Sequence, residues 1–299
     1  LKILECVPNF SEGRDRSVID RIVAEVRGVR GVKLLDVQSD PDHHRSVLTF
    51  LGESEAVERA ALGAARKAVE LIDMRQHKGS HPRLGAVDVV PFVPIHGSSM
   101  DDAIAAARRF GAALGQACQV PVYYYEEAAT SEARRNLADV RRGGYEGLAA
   151  RLADPAWQPD AGPAVLNVRS GATAVGARFP LIAFNVNLAT DDLEVAKQVA
   201  RAVRQSSGGL PYVRAMGVKL EERGLVQVSM NLVNHERMPI HRAVELIRAE
   251  ARRYGVGIRE CELVGLLPLG ALEEVVSYYL QIPGFSVRQI IETALLPGE

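Results

Sequence analysis

The run His77-Lys78-Gly79-Ser80-His81-Pro82-Arg83-Leu84-Gly85-Ala86-Val87-Asp88-Val89-Val90-Pro91-Phe92 crowds two histidines, a lysine, an arginine and two glycines between a helical pattern and an apolar β-like run. It reads as the loop joining them. Loops on a rigid scaffold commonly carry chemistry, and histidine is the side chain best matched to proton transfer near neutral pH. Pro82 biases His81 toward an extended backbone, from which its imidazole can project into a cleft. Taken alone, His81 is equally at home as a plain surface-loop histidine. Lys78 and Arg83 beside it suit an anionic substrate and favour neutral imidazole, the form a general base needs.

His77 and His81 stand four apart, as zinc ligands on a helix do. Gly79 and Pro82 argue against a helix, and no glutamate completes a His-Glu-x-x-His pattern, so no metal is expected. A second polar cluster, Asp40-Pro41-Asp42-His43-His44-Arg45, contains the Asp-His-His letters of metal-dependent phosphoesterases. Such sites need further carboxylates from other segments, and a tight turn between strands is the favoured reading. Asn9 and Ser11 follow the first strand, where amides and a hydroxyl could meet a ligand; helix entry explains Ser11 equally well. Gly171-Ala172-Thr173 opens a glycine-containing stretch with the look of a backbone clamp. It lacks the phosphate-loop and dinucleotide glycine patterns, which disfavours a nucleotide fold. Asn185 and Asn187 interrupt an apolar strand and require partners, which a polar ligand shared with Gly171 could supply.

The elements that must position these residues follow from periodicity. The first half reads as strand Lys2 to Val7, helix Asp15 to Arg27, strands Val32 to Val37 and Arg45 to Leu51, helix Ser54 to Met74, and strand Val87 to Pro94. That order, β-α-β-β-α-β, is the split βαβ unit of ferredoxin-like folds. It continues with an alanine-rich helix, Ser99 to Cys118, and a strand, Val120 to Tyr124; residues 126–162 are weakly patterned. The second half repeats the plan: strand Leu181 to Leu188, helix Asp191 to Gln205, strands Tyr212 to Glu221 and Leu225 to Val233, helix Pro239 to Tyr254, and strand Glu260 to Leu266. The expected fold is therefore α/β (α+β), with two ferredoxin-like subdomains over residues 1–179 and 180–299. A ligand cleft is expected between them.

Composition narrows the class. Hydrophobic residues at 47% and charged residues at 24% describe a globular chain with a sizeable core. Lys plus Arg at 36 against Asp plus Glu at 37 gives a formal charge of −1, no global reason to expect nucleic acid or an anionic membrane as partner. No apolar run approaches the roughly 18 residues of a membrane span. Cys6, Cys118 and Cys261 are scattered and read as reduced thiols in a cytoplasmic protein.

Several of these segments together resemble the formiminotransferase family. They are Glu5-Cys6-Val7-Pro8-Asn9-Phe10-Ser11-Glu12-Gly13, Leu34-Leu35-Asp36, Arg45-Ser46-Val47, Leu71-Ile72-Asp73-Met74, His77 through Phe92, Pro121-Val122-Tyr123, Gly171-Ala172-Thr173, and Leu181 through Leu188. They recur in order over most of the chain, and the Val-Pro-Asn-Phe-Ser-Glu-Gly and His-Pro-Arg-x-Gly-Ala-x-Asp runs are specific. The resemblance implies two α/β subdomains with a folate-binding tunnel between them, usually in a homodimer. It implies transfer of a formimidoyl group from N-formimidoyl-L-glutamate to tetrahydrofolate as co-substrate, in histidine degradation and one-carbon metabolism, with no metal. The family's catalytic histidine maps onto His81 and its folate-contacting segment onto about 163–172. Asn9, Ser11, Asp42, Arg45, Lys78, Arg83, Gly171, Ala172, Thr173, Asn185 and Asn187 are then the candidates for binding substrate or folate. Many relatives have Asn where this chain has His44, and an aspartate proposed to support the histidine falls at Gln38; Asp40 or Asp42 could take its place. A formyl-transferring enzyme and a non-catalytic folate-binding protein are the alternatives. A chain ending at Glu299 is expected to lack a cyclodeaminase domain, and Leu1 suggests a trimmed or alternative start.

Overall fold

The computed structural model describes residues 1–79 and 82–295, which divide into two compact units, Leu1–Arg178 and Phe179–Glu299. In the first, strands β1 (Ile3–Cys6) and β2 (Asn9–Phe10) are two pieces of one edge-to-edge path, broken at Val7-Pro8. Helix α1 (Arg16–Arg27) follows, its Asp15 cap accepting the Ser17 N–H at 2.8 Å, with Val18, Ile19, Ile22, Val23 and Val26 on the buried stripe. Then come β3 (Val32–Asp40), β4 (Arg45–Glu53), α2 (Ser54–Leu71), β5 (Val87–Pro94), α3 (Met100–Cys118) and β6 (Val122–Glu126). Short helices α4 (Leu137–Val140) and α5 (Leu148–Ala153) precede β7 (Thr173–Ala177).

Strands β1 and β2 lie antiparallel to both β4 and β5, and β3 pairs with β4. The sheet therefore runs β3, β4, β1/β2, β5, the strand order of a split βαβ unit, and then continues with β7 and β6. Both of those additions are parallel, β7 to β5 and β6 to β7. The β7 strand is the element that periodicity misses: Gly171 to Gly176 reads as a clamp because its small residues give no apolar alternation. Its place between two strands explains them, since Gly176 lies against the Tyr125 ring, 2.4 Å from where a Cβ would stand.

Helices α1, α2 and α3 cover one face. The buried positions of α2 are almost all alanine (Ala56, Ala60, Ala61, Ala64, Ala65, Ala68), which lets its neighbours α1 and α3 approach closely. On the opposite face, Val140, Leu148 and Leu152 of α4 and α5 pack on Val89, Tyr123, Tyr125 and Ala174 of β5, β6 and β7. Burial follows this asymmetry. β5 is buried along nearly its whole length, as a strand covered on both faces must be. β4 alternates between buried and half-buried residues from Arg45 to Gly52, so one of its faces is the less covered. Arg45 and Val47 lie on that half-buried side.

Helix α2 ends at Leu71, short of the Met74 that its apolar pattern suggests. Ile72 and Met74 remain buried, Ile72 on an extended backbone and Met74 at the start of a turn, and Met74 N–H is taken by the Arg169 carbonyl at 2.8 Å. Helix α3 begins with a reciprocal cap: Ser99 Oγ accepts the Asp102 N–H, and the Asp102 carboxylate accepts the Ser99 N–H at 2.9 Å. Ser99→Ala is expected to cost about 1 kcal/mol, read as a lower urea midpoint at unchanged slope; an unchanged midpoint would mean the box contributes nothing.

The second unit orders β8 (Ile182–Leu188), α6 (Leu193–Val203), β9 (Val213–Leu220), β10 (Leu225–Leu232), α7 (Ile240–Arg252), β11 (Ile258–Val264) and α8 (Glu273–Leu280). Its sheet runs β11-β8-β10-β9, antiparallel at every step, which is the ferredoxin-like arrangement without additions. Among the described residues, no helix is long and apolar enough to cross a membrane.

Candidate active site

Ser80 and His81, the centre of the expected site, lie outside the described residues. The chain on either side is described, and it is pinned. The β3–β4 turn is built by Asp40, whose carboxylate accepts the Asp42 and His43 N–H groups at 2.8 and 2.9 Å and the His43 ring Nδ1 at 2.5 Å. Those bonds, the His43 N–H first, hold the Asp40 carboxyl below its usual range. This is a turn held by its own aspartate, as the hairpin reading expects. His44 then takes a left-handed backbone with φ of 50°, where Asn, Asp and His are the better-tolerated residues after glycine.

The turn docks onto residues 77–79. The His44 ring stacks on the His77 ring, centroids 4.2 Å apart and 8° from parallel. His44 Nδ1 lies 3.1 Å from the Lys78 carbonyl oxygen, and its Nε2 lies 3.1 Å from Glu12 Oε1. Both partners accept, so both contacts are hydrogen bonds only when both ring nitrogens carry protons. Gly79 fits beneath: a Cβ there would stand 2.4 Å from the His43 carbonyl oxygen. Downstream, Arg83 donates Nε–H to His77 Nδ1 at 3.1 Å and grips Glu146 with both terminal nitrogens, at 3.2 and 2.6 Å. Burial, the dominant influence, pushes the His77 imidazole below its ordinary value.

The end of the loop is anchored by its own motif. Gly85 approaches Ser170 and Ala172 so closely that a Cβ would meet the Ser170 carbonyl at 2.2 Å. Asp88, 1% exposed, accepts the Leu84 N–H at 2.9 Å and pairs with the Arg141 guanidinium. Arg45 lies within the field of both; burial first, then the like charge of Arg141, lower its affinity for its proton. Asp88 acts on Arg45 as an opposite charge while pairing directly with Arg141, so this end of the loop carries two guanidiniums to one carboxylate.

The binding candidates fall into separate groups. Arg45, Lys78 and Arg83 belong to the turn-and-loop assembly. Lys78 contributes its carbonyl to His44 while its side chain is exposed, and Asp42 lies exposed on the same turn. Asn9 donates to the Val7 carbonyl at 3.0 Å, and buried Ser11 donates to the Gly85 carbonyl at 2.8 Å. Ser11 thus ties the first strand's exit to the loop's end. The Gly171, Ala172 and Thr173 amides are already engaged, donating to the carbonyls of Asn167, Leu84 and Pro121. All three residues are buried, so in this structure the segment positions the loop rather than presenting free amides to a ligand.

Asn185 and Asn187 belong to the second unit. Their side-chain amides donate to Glu262 and Glu260 on the neighbouring strand β11, at 3.1 and 3.0 Å, in register across the ladder. Gln227 of β10 donates to Asn187 Oδ1 at 2.9 Å, and Arg223 pairs with Glu260 at 2.5 Å. Protein groups therefore supply partners that a shared polar ligand could also have supplied. Among the described residues, no group of three or more His, Cys, Asp or Glu is placed to hold a metal ion.

Glu12, His44, Asp88, Arg141 and Glu146 were not ranked by sequence reasoning. Glu12 and Asp88 stand inside the specific runs and could have been found there. Arg141 and Glu146 sit in the weakly patterned 126–162 segment, where nothing local marks them.

The comparisons agree from end to end. A family model described as the N-terminal subdomain of the formiminotransferase domain matches residues 3–178, and one described as the formiminotransferase domain matches 183–294. The chain is 45% identical over 296 residues to a glutamate formimidoyltransferase of Streptococcus pyogenes serotype M1, covering 99% of each. It is 46% identical over 294 residues to one of Thermoplasma acidophilum, covering 98% of this chain and 97% of that protein. To a formimidoyltransferase-cyclodeaminase of Rattus norvegicus it is 44% identical over 284 residues, 93% of this chain and 52% of the other.

Proposed function

The chain belongs to the formiminotransferase family, and from that premise we propose that it transfers a formimidoyl group from N-formimidoyl-L-glutamate to N5 of tetrahydrofolate, giving 5-formimidoyltetrahydrofolate and glutamate. The observation that carries this is identity of 45% along nearly the full length of a glutamate formimidoyltransferase. Tetrahydrofolate is the co-substrate, and the reaction belongs to histidine degradation.

In the proposed mechanism N5 attacks the formimidoyl carbon and a tetrahedral intermediate forms. His81, as neutral imidazole, takes the N5 proton and returns it to the departing glutamate nitrogen as the carbon–nitrogen bond to glutamate breaks. The guanidinium groups of Arg45, of Arg141 paired with Asp88, and of Arg83 near the loop base suit the carboxylates that both substrates carry. Three unpaired cysteines accord with a reducing, cytoplasmic setting, and the family resemblance supports a homodimer.

The test is turnover with tetrahydrofolate and either N-formimidoyl- or N-formyl-L-glutamate, the folate product being detected after cyclisation to its methenyl form. Turnover with the formimidoyl donor is expected. Turnover with the formyl donor alone would move the assignment to a formyltransferase. Folate binding without turnover of either donor would make this a folate-binding protein.

A further inference from the structure

One face of α6 is cationic in a way that helix stability does not explain. Lys197, Arg201 and Arg204 are spaced by four and three residues, which puts them on one side of the helix and its C-cap. Like charges at these spacings repel one another and weaken a helix. The helix dipole favours basic residues in the last turn, which covers Arg201 and Arg204 but not Lys197 in the middle of the helix.

The acid among them is already shared. Glu194 stands 4.0 Å from Lys197 Nζ and accepts a hydrogen bond from Gln198 at 2.7 Å. Arg204 donates Nε–H to the neutral Ser207 Oγ at 2.7 Å, a contact that leaves its charge uncompensated. Among the described residues, the Arg201 guanidinium forms no ion pair or hydrogen bond. These four side chains, with Met216 and Gly217, line a concavity of about 330 Å³ where α6 meets β9. That volume lies at the small end of the roughly 300–1,000 Å³ range of ligand pockets. Gly217 lets the helix rest directly on the strand, since a Cβ there would stand 2.5 Å from the Lys197 backbone nitrogen. β9 is an outer strand of its sheet, with β10 as its neighbour.

We propose that this α6–β9 groove binds a small anion carrying two or more negative charges. Three cations set against one carboxylate leave two positive charges over, and a multiply charged anion would turn their mutual repulsion into attraction. Phosphate and carboxylate groups share the required chemistry, oxygen acceptors matched to the flat guanidinium fork and to the lysine ammonium. The groove goes beyond formimidoyl transfer and does not depend on it. Its residues all belong to the second unit, on α6, at its C-cap or on β9, and none is a candidate for the transfer site.

The experiment is calorimetric titration of the full chain with pyrophosphate and, separately, with citrate, at about 0.1 M ionic strength so that diffuse surface attraction is screened. Wild type is compared with Lys197→Gln, Arg201→Gln and a control, Arg59→Gln, which removes an exposed cation from α2. Saturable binding of at least one anion is expected, and the anion that binds more tightly identifies phosphate or carboxylate as the source. Each groove variant should weaken binding by about tenfold or more, the scale of one charge-assisted hydrogen bond. The control should change it by less than about twofold. Lys197 and Arg201 are exposed, and glutamine is a good helix former, so both variants are expected to fold. The bound anion should raise the melting temperature of wild type and raise that of either groove variant less. Failure of both anions to bind would overturn the proposal, as would an Arg201→Gln affinity within about twofold of wild type. If the wild type transfers neither a formimidoyl nor a formyl group, the functional reading fails while these titrations still decide the groove.

Discussion

In the His81→Ala variant, transfer from N-formimidoyl-L-glutamate to tetrahydrofolate is expected to slow by about 10²–10⁴-fold, with folate affinity close to that of the wild type. The N5 nitrogen loses a proton as it bonds to the formimidoyl carbon, and the glutamate nitrogen must gain one before it leaves as an amine. One imidazole can serve both steps in turn. Alanine leaves water to do this, without a fixed position or a matched proton affinity. The loss should fall on kcat, because the arginines that suit the substrates' carboxylates are untouched. Single-turnover rates and equilibrium folate binding, measured on the same preparation, separate the two effects. A variant that keeps kcat within about threefold of wild type would remove His81 from the chemistry and leave the family assignment standing.

Arg141→Met is expected to destabilise the first unit by about 3 kcal/mol, the lower end of the 3–5 kcal/mol scale for breaking a buried ion pair by removing one partner. Asp88, at 1% exposure, would keep the Leu84 N–H but lose its paired guanidinium. Arg45 still acts on Asp88 as an opposite charge, which is why the lower figure applies. The reason is desolvation: a carboxylate taken out of water and left without its cation is costlier than both partners replaced together. The double variant Asp88→Asn/Arg141→Met should therefore recover a large part of the loss, since the amide oxygen introduced at position 88 can still accept from the Leu84 N–H. Urea unfolding at constant slope reads both values. A single-variant loss below about 1 kcal/mol, or a double variant that is simply additive, would show that this pair does not hold the loop's end.

Much of this protein is legible along the chain. The split βαβ order of both halves follows from period-3.6 and period-2 stripes, each a property of a dozen consecutive residues. Asp15, Ser99 and Asp192 announce helix starts because a cap is a bond between near neighbours. Asp40 announces the β3–β4 turn in the same way. The specific runs carrying Asn9, Ser11 and His77 through Asp88 mark the candidate site, and a resemblance in those runs names the reaction. The β7 strand escapes periodicity because small residues between two parallel strands leave no alternation to read. The end of α2 is not legible because Ile72 and Met74 stay apolar and buried after the helix has given way to an extended residue and a turn.

What the chain could not say by itself is which distant side chains complete the loop. His44 meets Glu12 from 32 residues away, Arg83 meets Glu146 across 63, and Arg141 reaches Asp88 across 53. Nor could it reveal that the amides of Gly171, Ala172 and Thr173 are consumed within the protein, or that the partners of Asn185 and Asn187 are glutamates on β11. Burial and periodicity are written locally, because a residue's neighbours in sequence share its face of a helix or strand. Ion pairs and hydrogen bonds across the fold are decided only when folding brings separate segments within about 3 Å, and no spacing in the sequence records that distance.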